Sequence, residues 1–309
     1  FGFKSLAASN SGPFGDESIA GGYLQRLSFL SIFYIFVIFK NKNFNEPLLI
    51  FIITFHAVAI LLSGNRMPML LFLMGCVLII MFVKNLRLIM TSGLIIFLAI
   101  ASIIIINNKD FEKRYVTQIL FNFNLLKTPN TSKEPITQGE KNLRAFFGEK
   151  EDTEYYHGMP KSMNFLRTSG HGRIYRTSIK VWKEQPLFGF GLKSFRIKCW
   201  SILKKWEGAA HVPRYSCANH PHNYYLELLA ETGIVGTSLM IIFFLILLNN
   251  SFVHLIKHNR ITDSEKFLLI PIIIVFFLEI WPIRSSGSFF TTWNSTFFWL
   301  SAAVLFALN

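Results

Sequence analysis

The residues best suited to chemistry sit together ahead of an apolar run: His220, Pro221, His222 and Asn223, followed by YYLELLAETGIVG. Histidine titrates nearest neutrality, so a placed imidazole can take a proton from a hydroxyl. Pro221 suits the first turn of a helix, which puts His222 at a helix start. The positive end of the helix dipole disfavours imidazolium there, so His222 is expected to be neutral at neutral pH. A lone histidine in this position is otherwise a cap or a surface residue, and position alone does not establish catalysis. An arginine is the side chain suited to phosphate oxygens, because a guanidinium binds them through two parallel donors and stays charged. Arg196, Arg214, Arg284 and His220 are weak candidates for such contacts, each with an ordinary surface residue as the alternative. Glu227 and Glu231, four apart, share one face of the helix that His222 begins, and Glu227 is placed to orient His222 or bind substrate hydroxyls. Plain helix solvation is the competing reading. His220, His222 and Cys217 lack the further ligand a metal site needs. With no HExxH and no Gly-rich nucleotide fingerprint, no metal and no cofactor are expected.

The elements that carry these residues are membrane helices. Hydrophobic residues make up 51% of the 309, 33 of them Phe, and the mean hydropathy is +0.39. A span takes roughly 20 mostly apolar residues, and candidate stretches lie at 22–39, 47–62, 68–83, 88–106, 224–249, 267–283 and 289–308. The expected fold is all-α: a polytopic membrane helix bundle with a large, partly helical outer loop. Four helices fall in 1–106, the loop is 107–222, and three helices follow in 223–309. The chain opens at Phe1 without an initiator Met or a signal-peptide pattern, so a fragment or a processed chain is expected.

Charge placement sets the expected topology. Lys40 and Lys42, then Lys84 and Arg87, then Lys257, Arg260 and Lys266 fall in every second short loop, which the positive-inside rule makes cytoplasmic. The alternate short loops carry only Arg66 and Arg284, so both face outward, as does the long loop. That loop holds 20 Lys/Arg against 10 Asp/Glu from Asn107 to Pro221. A basic segment beside a membrane suits an anionic, membrane-borne substrate such as a lipid diphosphate; a solvated loop with surplus lysines is the plain alternative. The formal charge of +13 is therefore not read as nucleic-acid binding.

Within the loop, 127–162 is polar and expected to be irregular. Arg173–Glu184 reads as a helix with Ile174, Ser178, Val181 and Trp182 on one face and Arg173, Arg176, Lys180 and Lys183 broadly on the other, of the kind that lies along a membrane surface. Pro186 ends it, and PLFGFGLKSF is a Gly-punctuated turn. Cys199 and Cys217 share an oxidising outer loop, where a disulfide and two free thiols are both open. Cys76 is a small apolar span residue. Glu279, in an apolar span, is costly to bury and a functional candidate by default. Gly233 and Gly236 are read as allowing close helix packing, and Tyr224, Tyr225, Trp281 and Trp293 as an interface belt.

His222-Asn223, nine residues and Gly233-Ile234-Val235-Gly236-Thr237 resemble the His-Asn-x9-Gly-x-x-Gly signature of O-antigen ligases and their polymerase relatives. Gly172-Arg173, Trp182, Pro186, Gly189 and Gly191 resemble the family's Gly-Arg, helix and Pro-Leu-x-Gly-x-Gly block. Ser63-Gly64-Asn65-Arg66 resembles its Ser-Gly-x-Arg element, and Ser11-Gly12-Pro13-Phe14-Gly15 is similar to another outer segment. Together they cover most of the chain in the expected order. Members generally have about a dozen spans, so several N-terminal spans are expected to be missing.

The resemblance implies metal-independent glycosyl transfer at the outer face of a bacterial inner membrane. The donor would be a glycan on undecaprenyl diphosphate. The acceptor would be lipid A-core in a ligase, or a second lipid-linked glycan in a polymerase. His222 would be the general base, and Arg66 and Arg173 would hold the diphosphate. The Thr237 ending is closer to ligases, and a protein O-oligosaccharyltransferase is a third member of the class. A lipid-linked glycan transporter is the alternative of another class. It is disfavoured because transporters gather polar groups at the bilayer midplane, whereas here they gather at the outer boundary.

Overall fold

The computed structural model describes residues 5–6, 9–10, 19–39, 45–117, 119–120, 170–207, 216–257 and 263–308. Among them the regular secondary structure is helical apart from the pairing of the two-residue strands β1 (Ser5–Leu6) and β2 (Ser9–Asn10). The expected all-α membrane bundle is therefore what the chain forms. Its helices are α1 (Ala20–Phe39), α2 (Asn45–Leu62), α3 (Arg66–Phe82), α4 (Arg87–Asn107), α5 (Lys109–Glu112), α6 (Gly170–Glu184), α7 (Phe195–Glu207), α8 (Tyr224–Lys257), α9 (Asp263–Glu279) and α10 (Thr292–Leu308). Each apolar stretch of the sequence is helical over most of its length. Among the described residues, three helices are long and apolar enough to cross a membrane: Ala20–Phe39, Lys84–Asn107 and Tyr224–Ile256. Four apolar helices are shorter: Glu46–Leu62, Arg66–Phe82, Leu268–Glu279 and Thr292–Leu308.

The chain divides into two compact units. The first takes in Phe1–Val116, Phe244–Trp281 and Phe297–Asn309. In it α1 packs on α2, α3 and α9, and α2 on α4, around Phe29, Phe33, Ile53, Phe72, Ile79 and Phe97, all buried. Ile106 and Phe306 are each 77% exposed. Such large apolar groups on the outside are what lipid tails solvate, and they identify the exterior as membrane-facing. Inside this bundle Arg26 of α1 meets Glu279 of α9 through two hydrogen bonds, Nε–Oε2 at 3.0 Å and Nη2–Oε1 at 2.7 Å, and its guanidinium lies 5.3 Å from the Phe297 ring centre. Glu279 is thus part of a buried ion pair with a residue not singled out in the sequence.

The second unit takes in Thr117–Phe243 and Pro282–Thr296. Its core is Ile174 and Val181 of α6, Phe195, Cys199 and Ile202 of α7, and Ala230 of α8. The apolar face expected on α6 is present, but α7 and α8 cover it, which removes the reason for α6 to lie along a bilayer. Arg173, placed by periodicity on the polar face, is buried, and Arg176 is half-buried. A helical wheel records angular position only; the neighbours that pack against each angle decide which groups are covered.

Candidate functional site

The site of the second unit is built from the start of α8. Asn223 is its N-cap: Oδ1 accepts hydrogen bonds from the Tyr225 and Leu226 amides at 3.1 Å each, satisfying two donors the first helical turn leaves free. Its Nδ2 donates to the carbonyls of Pro282 at 2.8 Å and Arg284 at 3.1 Å. One turn on, buried Glu227 accepts from the Ser288 hydroxyl at 2.5 Å and the Phe289 amide at 2.6 Å. Both side chains bind segment 282–289 to the helix start. Glu227 therefore directs its oxygens to this segment, not to solvent.

His222 lies outside the helix, one residue before the cap, and Pro221 lies outside with it. Its backbone is left-handed, φ 58°, a region costing a non-glycine residue of order 1–3 kcal/mol unless the surroundings hold it there. The Ser286 amide donates to its carbonyl at 2.9 Å, and the Tyr175 hydroxyl donates to the same carbonyl at 3.4 Å. The imidazole is packed between two others: His220 with ring centres 4.3 Å apart, and His171 of α6, edge-on, at 5.0 Å. Burial pushes the His222 pKa down to about 4, helped by charge repulsion from His220 and His171 and opposed by hydrogen bonding to the Ser286 backbone. His220 moves the same way, again through burial first, and its Nε2 is buried with no hydrogen-bond partner. Desolvation and the neighbouring imidazoles thus both favour the neutral form of His222.

Around this cluster, Arg173 is buried in α6, two residues after His171. Arg284 is buried with its guanidinium 6.0 Å from the Tyr224 ring centre. Tyr224 is buried against Phe289, ring centres 5.2 Å apart, so it forms part of the protein interior and not an interface belt; Trp293, 75% exposed, fits a belt. Arg196 is exposed on α7, within electrostatic reach of Glu231. Arg214, Ser11–Gly15 and 127–162 lie outside the described residues. Among the described residues no group of three or more His, Cys, Asp or Glu side chains is arranged to hold a metal ion.

Glu231 does for a second segment what Glu227 does for the first. Its carboxylate accepts from the amides of Lys193 at 2.5 Å and Phe195 at 3.3 Å, fixing the turn between α6 and α7. That turn meets α8 where Gly189 (φ 65°) and Gly233 (φ 65°, ψ −169°) bring their backbones together. A Cβ on Gly189 would lie 2.4 Å from the Glu231 carbonyl carbon, and one on Gly233 2.3 Å from that of Leu187. The close approach read into Gly233 is thus made by a turn, and not by another helix. Thr237 donates its hydroxyl to the Gly233 carbonyl at 2.7 Å, a helix-internal bond that says nothing of an acceptor. Cys199 and Cys217 are joined in a disulfide across 18 residues of sequence.

Arg66 belongs to the first unit, where it opens α3, exposed. The preceding turn has Gly64 at φ 72°, and the Ser63 hydroxyl donates to the Ile60 carbonyl at 2.6 Å. Arg114 donates through Nε to the Gly64 carbonyl, and Tyr115 donates to the Leu61 carbonyl at 2.9 Å. Arg114 supplies a second guanidinium beside this turn.

His171, Tyr175 and Ser286 escaped the sequence reading. His171 directly precedes the Gly172-Arg173 pair, and Tyr175 follows it by one helical turn, so both were within reach of the motif. Nothing local marks Ser286.

A family model described as O-antigen ligase matches residues 47–241, a stretch reaching from α2 to α8 and containing Arg66, His171, Arg173, His222 and both buried glutamates. No curated protein and no solved structure matches the chain.

Proposed function

The chain belongs to the O-antigen ligase family, whose members are glycan-transferring membrane enzymes, and from that premise we propose that it moves a glycan from undecaprenyl diphosphate to a sugar hydroxyl on lipid A-core. The observation that carries this reading is His222: half-buried, held towards its neutral form, and set in a left-handed backbone against two other imidazoles.

In the proposed step His222 accepts the proton of the acceptor hydroxyl as its oxygen bonds to the anomeric carbon of the donor. The anomeric carbon–oxygen bond to the diphosphate breaks, and the electron pair leaves with undecaprenyl diphosphate. A positioned base is worth roughly 100- to 10,000-fold on such a step. The diphosphate leaving group needs positive charge more than a proton, which suits Arg173 in the second unit; Arg66 keeps the phosphate-binding role its motif implies. No part of this step calls for a metal. A base of pKa about 4 is weak, but a diphosphate close to the three histidines raises it, since a nearby anion favours imidazolium. The base thus strengthens when donor is bound. The expected setting is the bacterial inner membrane with the site facing the periplasm, and the polymerase reading differs only in its acceptor.

Reconstituted protein supplied with undecaprenyl-diphosphate glycan, and offered lipid A-core and a second lipid-linked glycan in parallel, separates these readings. Transfer to lipid A-core alone supports the ligase, and chain extension alone the polymerase. A folded His222→Ala variant with full activity would sink the general-base role.

A further inference from the structure

We infer that the turn between α6 and α7, with the exposed face of α7, is a wedge seated in the lipid leaflet that the N-terminal part of α8 enters, binding anionic headgroups through Lys193, Arg196 and Lys198. The sequence reads this stretch as part of a loop outside the membrane; its hydrogen bonds place it at the boundary. α8 is kinked at non-helical Gly233, and the straight part after it, residues 234–257, is about 36 Å long at about 1.5 Å per residue, enough by itself to cross a hydrocarbon core of about 30 Å. The polar section before the kink, residues 224–232 and about 14 Å long, is thus not needed to cross the core and is free to lie at its boundary.

The turn attaches at that kink. Phe190 and Gly191 donate to the carbonyls of Ala230 (3.2 Å) and Glu231 (2.8 Å), while Ile234 and Val235 donate to those of Pro186 (2.9 Å) and Leu187 (3.2 Å). The kink breaks the regular helical pattern, and the turn satisfies the backbone groups this releases. Such mutual satisfaction is required where water is scarce, and non-helical backbone at membrane depth is tolerated only on those terms.

The outward side chains match a bilayer. Leu187, Phe188, Leu192 and Ile197 are 58%, 72%, 64% and 69% exposed, continuous with exposed Ile234, Val235 and Leu239 on α8. An apolar surface of this kind on a helix that enters lipid is solvated by acyl chains. Between Leu187 and Trp206 there are five cations and no carboxylate. Lys193, Arg196 and Lys198 are exposed beside the apolar tip, and Lys198 Nζ lies 5.5 Å from the Phe190 ring centre. Cations next to an apolar wedge fit the phosphates of anionic lipids.

The test needs no substrate, so it is independent of the glycosyl-transfer reading. Full chain carrying Cys76→Ala and one new cysteine, Phe188→Cys, Leu192→Cys or Lys183→Cys, is labelled with an environment-sensitive fluorophore and reconstituted in vesicles. Probes at 188 and 192 are expected to emit at shorter wavelength than the probe at 183, and to be quenched several-fold more by lipids with a nitroxide near the headgroup. Equal quenching by aqueous iodide at all three positions would overturn the inference. So would short-wavelength emission at 188 with no nitroxide quenching, which would mean protein covers the tip. Lys193→Glu/Arg196→Glu/Lys198→Glu is expected to reduce lipid quenching at 188 in phosphatidylglycerol vesicles and not in phosphatidylcholine. The same quenching in both lipids would remove the headgroup role.

Discussion

Lowering the pH should destabilise the protein through His222 in a defined window. The ordinary imidazole titrates at 6.5 and the folded His222 at about 4, so between these values the unfolded chain binds a proton that the folded chain refuses. Stability therefore rises with pH across the window: it is complete above about 6.5 and is lost as pH falls towards about 4. At about 1.36 kcal/mol per pH unit the difference is about 3 kcal/mol, and partial solvent access to the ring brings it nearer 1–2 kcal/mol. His220 adds a loss of the same sign. His222→Gln keeps a polar side chain without the titration, so its thermal midpoint should change less than wild type's between pH 7 and 4.5 in the same detergent. Exchange of the imidazole C2 proton, followed by mass spectrometry, reads the His222 midpoint directly. A midpoint at or above 6.5, or identical pH slopes for wild type and His222→Gln, would refute the reasoning. Inorganic diphosphate should move the midpoint upward, by the attraction invoked for the bound donor.

Glu227→Ala leaves the Phe289 amide and Ser288 hydroxyl without their acceptor, at about 1–3 kcal/mol each; thermal unfolding should show the loss, and Glu227→Gln should recover part of it. Gly233→Ala adds a Cβ at 2.3 Å from the Leu187 carbonyl carbon on a backbone with φ 65°, so limited proteolysis should open the turn at 186–192, and an unchanged protease pattern would contradict the close approach. Arg26→Ala removes the bidentate partner of a buried carboxylate, an expected loss of about 3–5 kcal/mol, and Arg26→Ala/Glu279→Ala should unfold at a higher temperature than Arg26→Ala alone. Reducing the Cys199–Cys217 bridge, 18 residues apart, should lower stability by about 3 kcal/mol on the chain-entropy model, read as a lower unfolding temperature in dithiothreitol.

Taken alone, the sequence settles what depends on neighbours along the chain. A helical apolar run must bury or lipid-solvate its side chains wherever it lies, so every apolar stretch could be recognised, as could the breaks at Pro186 and before α8. The His222-Asn223 and Gly172-Arg173 pairs were legible because their spacing is itself the signal. The assignments that failed depended on contacts distant in sequence. Periodicity put Arg173 on a polar face, and packing in the second unit buried it. For Glu227 and Glu231 plain solvation stayed open beside a role at His222, because nothing nearby shows that segments 61–62 residues later and 36–38 residues earlier would take up their oxygens. The Arg26–Glu279 pair spans 253 residues, and His171 reaches His222 only because α6 folds back over the start of α8. The identity of a histidine comes from the sequence; its desolvation, its left-handed backbone and its two neighbouring rings come from tertiary structure, since burial and electrostatic coupling depend on distance in space.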